Sequence, residues 1–276
     1  MSEQENEQSE QPDPEPAEGY DVSPVLRDWE YEPGVINVRR IVGLDGIPKI
    51  QMRLELGLLQ MEVTGRPDGR RPHDCESLLE YHERRLGEHK HKHGGAFEGF
   101  ALSAEHCQQL RDEAAMYYQR YLSLFMLGDF VSVVRDTSRN LRVLDLCGKF
   151  AVEEQDRLML EQYRPYIIMM RTRAAASILF KDAKLHQALD VVRDGLAQIK
   201  TFFEKFGHPE AYEGCDEVKV LKRFGRDIKK KLPVGPLERL QRRLKKAIAA
   251  EDYETAAQLR DEIATLEAAA GTGGTA

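Results

Sequence analysis

The sequence predicts a mainly α-helical protein. We expect a bundle of helical hairpins with a small antiparallel β-element near the N-terminus and one more helical hairpin at the C-terminus. The composition, with 41% apolar, 32% charged and 8% aromatic residues, is typical of a helical protein with a real core. From Ser103 onward apolar residues recur at three- and four-residue spacing, as on one face of a helix. Between residues 50 and 63 they alternate with polar residues, as in strands with one buried face.

The composition of residues 1–34 predicts a disordered acidic tail. Eleven of them are Asp or Glu, and Arg27 is the single basic residue. Such a segment buries too little apolar area to offset its chain entropy. It contains the only Trp of the chain, Trp29. Two interpretations of this Trp stay open: it packs back on the folded domain, or it belongs to a short motif that orders on a partner.

Residues 35–100 predict a small β-element, a basic and His-rich loop and a short helix. The alternating apolar side chains are Ile50, Met52, Leu54 and Leu56 in one run, and Leu59, Met61 and Val63 in the next. Two or three strands would be marginal alone, so we expect a helix to cover their apolar face. Ser77 is predicted to cap a short helix that ends near Arg85. The polar residues 87–95 are predicted to form a mobile loop.

Residues 101–232 predict the helical domain. Gly128 is expected to end one helix and Asp129 to cap the next. Pro165 either kinks a helix or opens a new one. A basic helix is predicted over about 215–231. The segment Val133–Asp136 recurs as Val191–Asp194, which weakly resembles tetratricopeptide-type hairpins, but the spacing does not fit a 34-residue repeat.

Residues 233–268 predict the C-terminal hairpin, with a turn at 249–252 in which Asp252 caps the second helix. The first helix is basic and the second acidic. The predicted apolar seams are Leu237, Leu240, Leu244 and Ile248 on the first helix, and Tyr253, Ala256, Ala257, Ile263 and Leu266 on the second. About thirty residues supply too small a core for stability alone, so we expect the hairpin to pack on the rest of the chain, a second copy or a partner. Residues 269–276 predict a disordered tail.

The second helix of this hairpin carries an ordered series of residue types. The series is an acid, an aromatic residue, Glu, two Ala, Leu, Arg and Asp: Asp252, Tyr253, Glu254, Ala256, Ala257, Leu259, Arg260 and Asp261. It resembles the UVR motif, the helical hairpin at the end of the UvrB and UvrC repair proteins, with similar motifs in Clp-type unfoldases and their adaptors.

This resemblance implies an element that docks on another protein. The partners it implies are a UvrB- or UvrC-like protein or a Clp-type protein, and a homodimer is a further alternative. The implied contact residues are Leu240, Leu244, Tyr253, Ala256, Ala257, Leu259, Arg260 and Ile263.

The chain lacks the sequence motifs on which the enzymatic activities of these families depend, so the resemblance does not imply those activities. It has no Gly-x-x-x-x-Gly-Lys phosphate loop, no recognisable nuclease region and no Cys-x-x-Cys pair. It also has no Gly-x-Ser-x-Gly or His-Glu-x-x-His motif. We therefore expect a non-enzymatic interaction protein without a cofactor, with DNA repair or stress proteolysis as the implied processes.

The basic run 219–246 supports an alternative function, binding to nucleic acid through phosphate contacts. The candidate residues are Lys222, Arg223, Arg226, Lys229, Lys230 and Lys231. Phe224 is the only aromatic residue of the run, so base stacking is not expected. The competing interpretation is a solvated helix face.

A His-rich stretch at 73–93 contains ligand types for zinc or nickel, but Lys residues alternate with its last His residues and oppose a cation, so no metal site is predicted. The four cysteines are far apart in the sequence, which predicts reduced thiols. The chain has neither an apolar run of membrane-spanning length nor a secretory signal. We expect a cytoplasmic protein that does not contact a membrane.

Overall fold

The computed structural model describes residues 21–233 and 236–272. The chain divides into two compact units, Met1–Ile167 and Ile168–Ala276. The prediction of a mainly α-helical protein is confirmed: 66% of it is helical, with a small antiparallel sheet near the N-terminus and a helix pair at the C-terminus. Within the described residues, no helix combines the length and the apolar content needed to cross a bilayer.

The first described helix of the first unit is the short α1 (Ser23–Leu26), and Trp29 follows it. Trp29 is buried, its Nε1 donates to Asn37 Oδ1 at 2.8 Å, and the Arg39 guanidinium lies 4.0 Å from the ring centre. Of the two interpretations of this Trp, the structure shows the one in which it packs back on the domain. The predicted tail at 1–34 is described only from residue 21 onward, and residues 1–20 lie outside the described ranges.

Three antiparallel strands follow in the order β1 (Val38–Val42), β2 (Pro48–Arg53) and β3 (Leu58–Glu62). The prediction that alternation continues to Leu56 is wrong, because β2 ends at Arg53. The Arg53 guanidinium donates to the carbonyl of Gly57 at 2.8 Å and holds the chain in a turn. Leu54 and Leu56 consequently lie in this turn and are exposed.

Two polar residues of β2, Lys49 and Gln51, are also buried, against the predicted pattern of one buried face. Gln51 donates from Nε2 to Gln60 Oε1 at 2.9 Å and accepts from Arg39 Nε at 2.8 Å. Lys49 forms ion pairs with Asp45 and Glu62. These partners satisfy the buried polar groups, so both faces of the central strand are covered.

The helices of the first unit are α2 (Leu78–Lys92), α3 (Ala104–Met126), α4 (Phe130–Phe150), α5 (Glu154–Leu158) and the first turn of α6 (Arg164–Lys181). The predicted end of α2 at Arg85 is wrong, because Leu86 packs on the core and the helix continues to Lys92. Residues 87–92 are therefore helical, although they were predicted to lie in a mobile loop at 87–95. Gly94 and Gly95, both with positive φ, follow the end of the helix.

Helix α3 covers the sheet and pairs with α4, as predicted for the helix over the β-element. Its predicted apolar face is buried: Leu110, Ala114, Tyr117, Tyr121 and Leu124. The signals for the helix ends are also confirmed, because Gly128 has φ of 72° and the Asp129 carboxylate accepts from the N–H of Ser132 at 3.2 Å.

A buried ion pair fastens α3 to α4 and to the sheet. Arg120 and Asp136 are fully buried and form two parallel hydrogen bonds, at 2.7 Å and 2.9 Å. Arg120 Nη1 also donates to the carbonyl oxygens of Glu62, at 3.0 Å, and Gly65, at 2.8 Å. The two parallel hydrogen bonds and the additional bonds to backbone carbonyls offset the free-energy cost of removing both charges from water.

The second unit contains the rest of α6 followed by α7 (Leu185–Lys205), α8 (Ala211–Gly214), α9 (Asp216–Lys231), α10 (Pro236–Ala249) and α11 (Tyr253–Thr272). Pro165 is the second residue of α6, so it opens a helix rather than kinking one. Helix α9 packs on α7 with Val218, Leu221 and Ile228 buried. Of the predicted tail at 269–276, residues through Thr272 belong to α11 and the last four lie outside the described ranges.

Candidate functional site: the C-terminal hairpin

Helices α10 and α11 form a helical hairpin, joined by the predicted turn at 249–252. The turn is closed by the N–H of Asp252, which donates to the carbonyl of Ala247 at 3.0 Å, and by the N–H of Glu251, which donates to Ile248 at 3.1 Å. Asp252 then caps α11, as predicted, because its carboxylate accepts from the N–H of Thr255 at 3.0 Å. Hydrogen bonds from the Thr255 side chain and N–H lower the pKa of Asp252, so the cap is charged.

The core of the hairpin is small. Ala247, Ala256 and Leu259 are buried, and Leu240 and Leu244 pack against them with part of their surface exposed. Ile263 is half-buried further along α11. Two alanines and three leucines bury little apolar area, so the hairpin gains only modest stability from its own contacts.

Four residues of the predicted seams are exposed rather than packed in this core, which corrects the prediction. Ile248 is 54% exposed, Tyr253 70% and Leu266 40%, and Ala257 is also exposed. Successive helix residues are rotated by about 100° about the axis. Because Ala247 and Ala256 face the partner helix, their neighbours Ile248 and Ala257 turn away from it.

The eight candidate contact residues therefore separate into two groups. Those inside or at the rim of the hairpin core are Leu240, Leu244, Ala256, Leu259 and Ile263. The exposed ones are Tyr253, Ala257 and Arg260. Their spacing of four and then three residues places these three side chains on a single face of α11, within about 40° of Tyr253. We name this surface the α11 face.

The two helices present opposite charges to solvent, as the sequence predicted. The exposed basic residues of α10 are Arg239, Arg242, Arg243, Lys245 and Lys246. The exposed acidic residues of α11 are Glu254, Asp261, Glu262 and Glu267. A protein that contacts both helices would therefore meet a positive and a negative surface side by side.

Of the comparisons with known proteins, the comparison with protein-family models identifies the hairpin. Residues 236–269 match the family model of the UvrB/uvrC motif, UVR, which covers α10 and most of α11. The C-terminal hairpin is thus a UVR motif, and this identification extends to the hairpin alone. No curated protein and no solved structure matches the chain. The tetratricopeptide-like echo stays a prediction.

The candidate nucleic-acid residues lie on α9, before the hairpin. Arg223, Arg226, Lys229 and Lys230 are exposed along the helix, and Lys222 is half-buried beside Glu213, with Nζ and Oε2 2.6 Å apart. Lys231 is exposed at the last residue of α9, rotated away from the others. Lys219 belongs to the basic run but was not among the candidate residues. It lies on the same face of α9, which the rotation of 100° per residue predicts from the sequence.

The His-rich stretch forms contacts among its own side chains and with the loop after α2. The rings of His89 and His93 stack with centres 4.1 Å apart, and His89 Nε2 lies 2.9 Å from the carbonyl oxygen of Glu98. In the part of the chain that the structure describes, no three His, Cys, Asp or Glu residues are arranged to hold a metal ion. The four cysteines are free thiols, with Cys75, Cys107 and Cys147 buried and Cys215 half-buried.

Proposed function

We propose that this chain is a non-enzymatic interaction protein that docks on a partner protein through its C-terminal UVR hairpin. The observation that carries the proposal is the exposed α11 face, where Tyr253, Ala257 and Arg260 lie beside a hairpin core of only a few side chains. Small alanines let another helix approach closely, and exposed Tyr and Arg are the side chains that dominate the energetics of protein interfaces.

The hairpin core supports the same proposal. Leu259 and Ala256 fix the register of α11 on α10, which presents the α11 face in one defined orientation. A partner that covers Tyr253 and Ile248 would complete the burial that the hairpin lacks. Because UVR motifs occur in DNA-repair and proteolysis-related proteins, the first partners to test are the UvrB, UvrC and Clp-type proteins of the source cell.

The experiment compares two charge insertions at neighbouring residues of α11. Ala257→Glu places a carboxylate within the α11 face, whereas Gln258→Glu places one about 100° around the helix from it. Both residues are exposed in the free chain. We expect Ala257→Glu to weaken binding of a purified partner at least about tenfold, a loss of about 1.4 kcal/mol. Gln258→Glu should bind as the parent does.

The readout is titration calorimetry against each purified candidate partner, with circular dichroism to show that both variants keep their helices. Arg260→Glu provides a second test of the same face, since it reverses an exposed charge without touching the core. Equal binding by the parent and by both Ala257→Glu and Arg260→Glu would exclude the α11 face as the docking surface. A self-association that Ala257→Glu abolishes and Gln258→Glu leaves intact would identify the partner as a second copy of the chain.

A further inference from the structure

Helix α9 carries an uninterrupted basic face. At 100° per residue, six positions of α9 lie within about 60° of Arg226. All six are Lys or Arg: Lys219, Lys222, Arg223, Arg226, Lys229 and Lys230. We name this surface the α9 basic face. It runs for about 16 Å along the helix axis, because each residue adds 1.5 Å.

The packed residues of the helix fix the direction in which this face points. Val218, Leu221 and Ile228 are buried, and Gly225 lies so close to α7 that an added Cβ would stand 3.3 Å from Val192 Cγ1. These contacts hold α9 on α7 and prevent the helix from rotating about its axis. The cations are therefore presented together, with the centre of the face about 120° around the helix from the packed residues.

Acidic residues border the face without interrupting it. Lys219 pairs with Asp216, at 2.8 Å, and Lys230 with Asp227, at 3.0 Å. Both are exposed pairs within a single helix, which contribute little free energy and exchange readily for another anion. Among the described residues, Arg223, Arg226 and Lys229 form no ion pair, so at least these three are available to a ligand.

We propose that the α9 basic face binds the phosphate backbone of double-stranded nucleic acid without sequence preference. A duplex carries one negative charge per about 1.7 Å of axis, so a 16 Å row of cations can meet several phosphates at once. Lys and Arg make up the whole face, and most contacts of such side chains with nucleic acid go to phosphates, which carry no sequence information; the face has no aromatic ring to stack on unpaired bases.

The composition of the face also favours a nucleic acid over a protein partner. Four of its six residues are Lys, a residue that is depleted at protein interfaces, and none of them is apolar or aromatic. Helix α9 lies outside residues 236–269, so this binding is separate from docking by the UVR hairpin. The two surfaces would let one chain hold a protein while it contacts a duplex.

The experiment measures fluorescence anisotropy of a labelled mixed-sequence DNA duplex of about 20 base pairs, titrated with the full chain at several salt concentrations. If all six cations contact phosphates, the affinity falls about 10³-fold between about 50 and 200 mM salt. Arg223→Gln with Arg226→Gln removes two contacts, so this double variant should bind more weakly and lose only about 10²-fold over the same range.

Two matched variants show whether α9 is the surface involved. Arg193→Gln with Lys200→Gln removes the same charge from exposed positions of α7 and should leave both affinity and salt dependence unchanged. Arg239→Gln with Arg243→Gln removes it from the UVR hairpin. If the hairpin variant alone loses the salt dependence, the duplex binds α10 and the proposal for α9 is wrong.

Three further outcomes would overturn the proposal. The first is no salt-dependent binding by the parent chain. The second is a polyglutamate peptide that binds as tightly as the duplex at equal salt, which would point to an acidic protein segment. The third is a single strand that binds more tightly than the duplex. The duplex proposal stands if the duplex binds most tightly and only the α9 double variant reduces its salt dependence.

Discussion

His82 illustrates how a single residue can differ from what its sequence context indicates. The sequence places it among polar and basic neighbours, yet its side chain is fully buried, with the His106 ring centre 4.8 Å away. Arg85 Nη1 lies 3.0 Å from its Nδ1, and because a guanidinium can only donate, Nδ1 accepts. Burial, reinforced by the charges of His106, Arg85 and His73, lowers the pKa of His82 to about 4.

This buried imidazole predicts a loss of stability in acid. Above pH 6.5 the ring is neutral in the folded and unfolded chain, so its contribution is fully present. As the pH falls from 6.5 towards 4, the unfolded chain takes up the proton first, and at pH 5 about 2 kcal/mol of unfolding free energy is lost. Urea unfolding followed by the fluorescence of Trp29 at pH 7 and pH 5 measures this loss.

The matched variant for this measurement is His82→Gln, which removes the titrating group. Its unfolding free energy should be lower than that of the parent at pH 7 but should change less between pH 7 and pH 5. His106, whose pKa is also lowered by burial, remains in the variant and accounts for part of the residual slope. If the variant and the parent lose the same free energy, His82 does not titrate as proposed.

At the scale of helices and strands, local signals were reliable and side-chain orientation was not. Helix ends at Gly128, Asp129 and Asp252 were predicted because capping and positive φ depend on residues adjacent in sequence. The prediction that Ile248 belongs to the hairpin core was wrong: its apolar neighbour Ala247 is buried instead. Only the position of the opposite helix decides which of them is buried.

The packing of α6 on α7 leads to a prediction that runs against helix propensity. An added Cβ at Gly195 would lie 2.9 Å from Thr172 Cβ and 2.6 Å from its Cγ2, so the two helices must separate. Ala is the better helix former by about 1 kcal/mol, but overpacking of a tight contact costs about 1–3 kcal/mol. We therefore expect Gly195→Ala to lower the melting temperature.

The same substitution at Gly87 is the control for this effect. Gly87 is in the interior of α2, and a Cβ there would meet no atom within 4 Å. Gly87→Ala should raise the melting temperature, because only the propensity gain remains. Differential scanning calorimetry of the two variants measures both signs, and a stabilising Gly195→Ala would show that α6 and α7 can separate without cost.

Across the whole molecule, the type of each region could be predicted from the sequence better than its buried polar contacts. The UVR hairpin was recognised from an ordered series of residue types, whereas the buried pair of Arg120 and Asp136 was not predicted. Charged residues on an amphipathic helix are usually solvated, and no sequence signal marked this pair as an exception. The sheet contacts that bury it join residues more than fifty positions apart.

Unequal cores predict unequal local stability along the chain. The cluster formed with α3 and α4 includes Leu110, Val143 and Leu146, whereas the residues of the hairpin whose burial the structure describes place Ala247, Ala256 and Leu259 fully within its core. The free energy of local opening follows the apolar contacts that opening breaks. We therefore expect the amides of α10 and α11 to exchange hydrogen faster than those of α3 and α4 in native-state exchange followed by mass spectrometry.

Leu259→Ala should accelerate exchange within α10 and α11 and leave α3 and α4 unchanged, because Leu259 belongs to the hairpin core cluster and not to the cluster formed with α3 and α4. Saturating amounts of a docking partner should slow exchange in the hairpin, since a ligand that binds only the folded form stabilises it. If the hairpin amides of the free chain were already as protected as those of α3, the hairpin would need no partner. The small core would then no longer be a reason for it to dock.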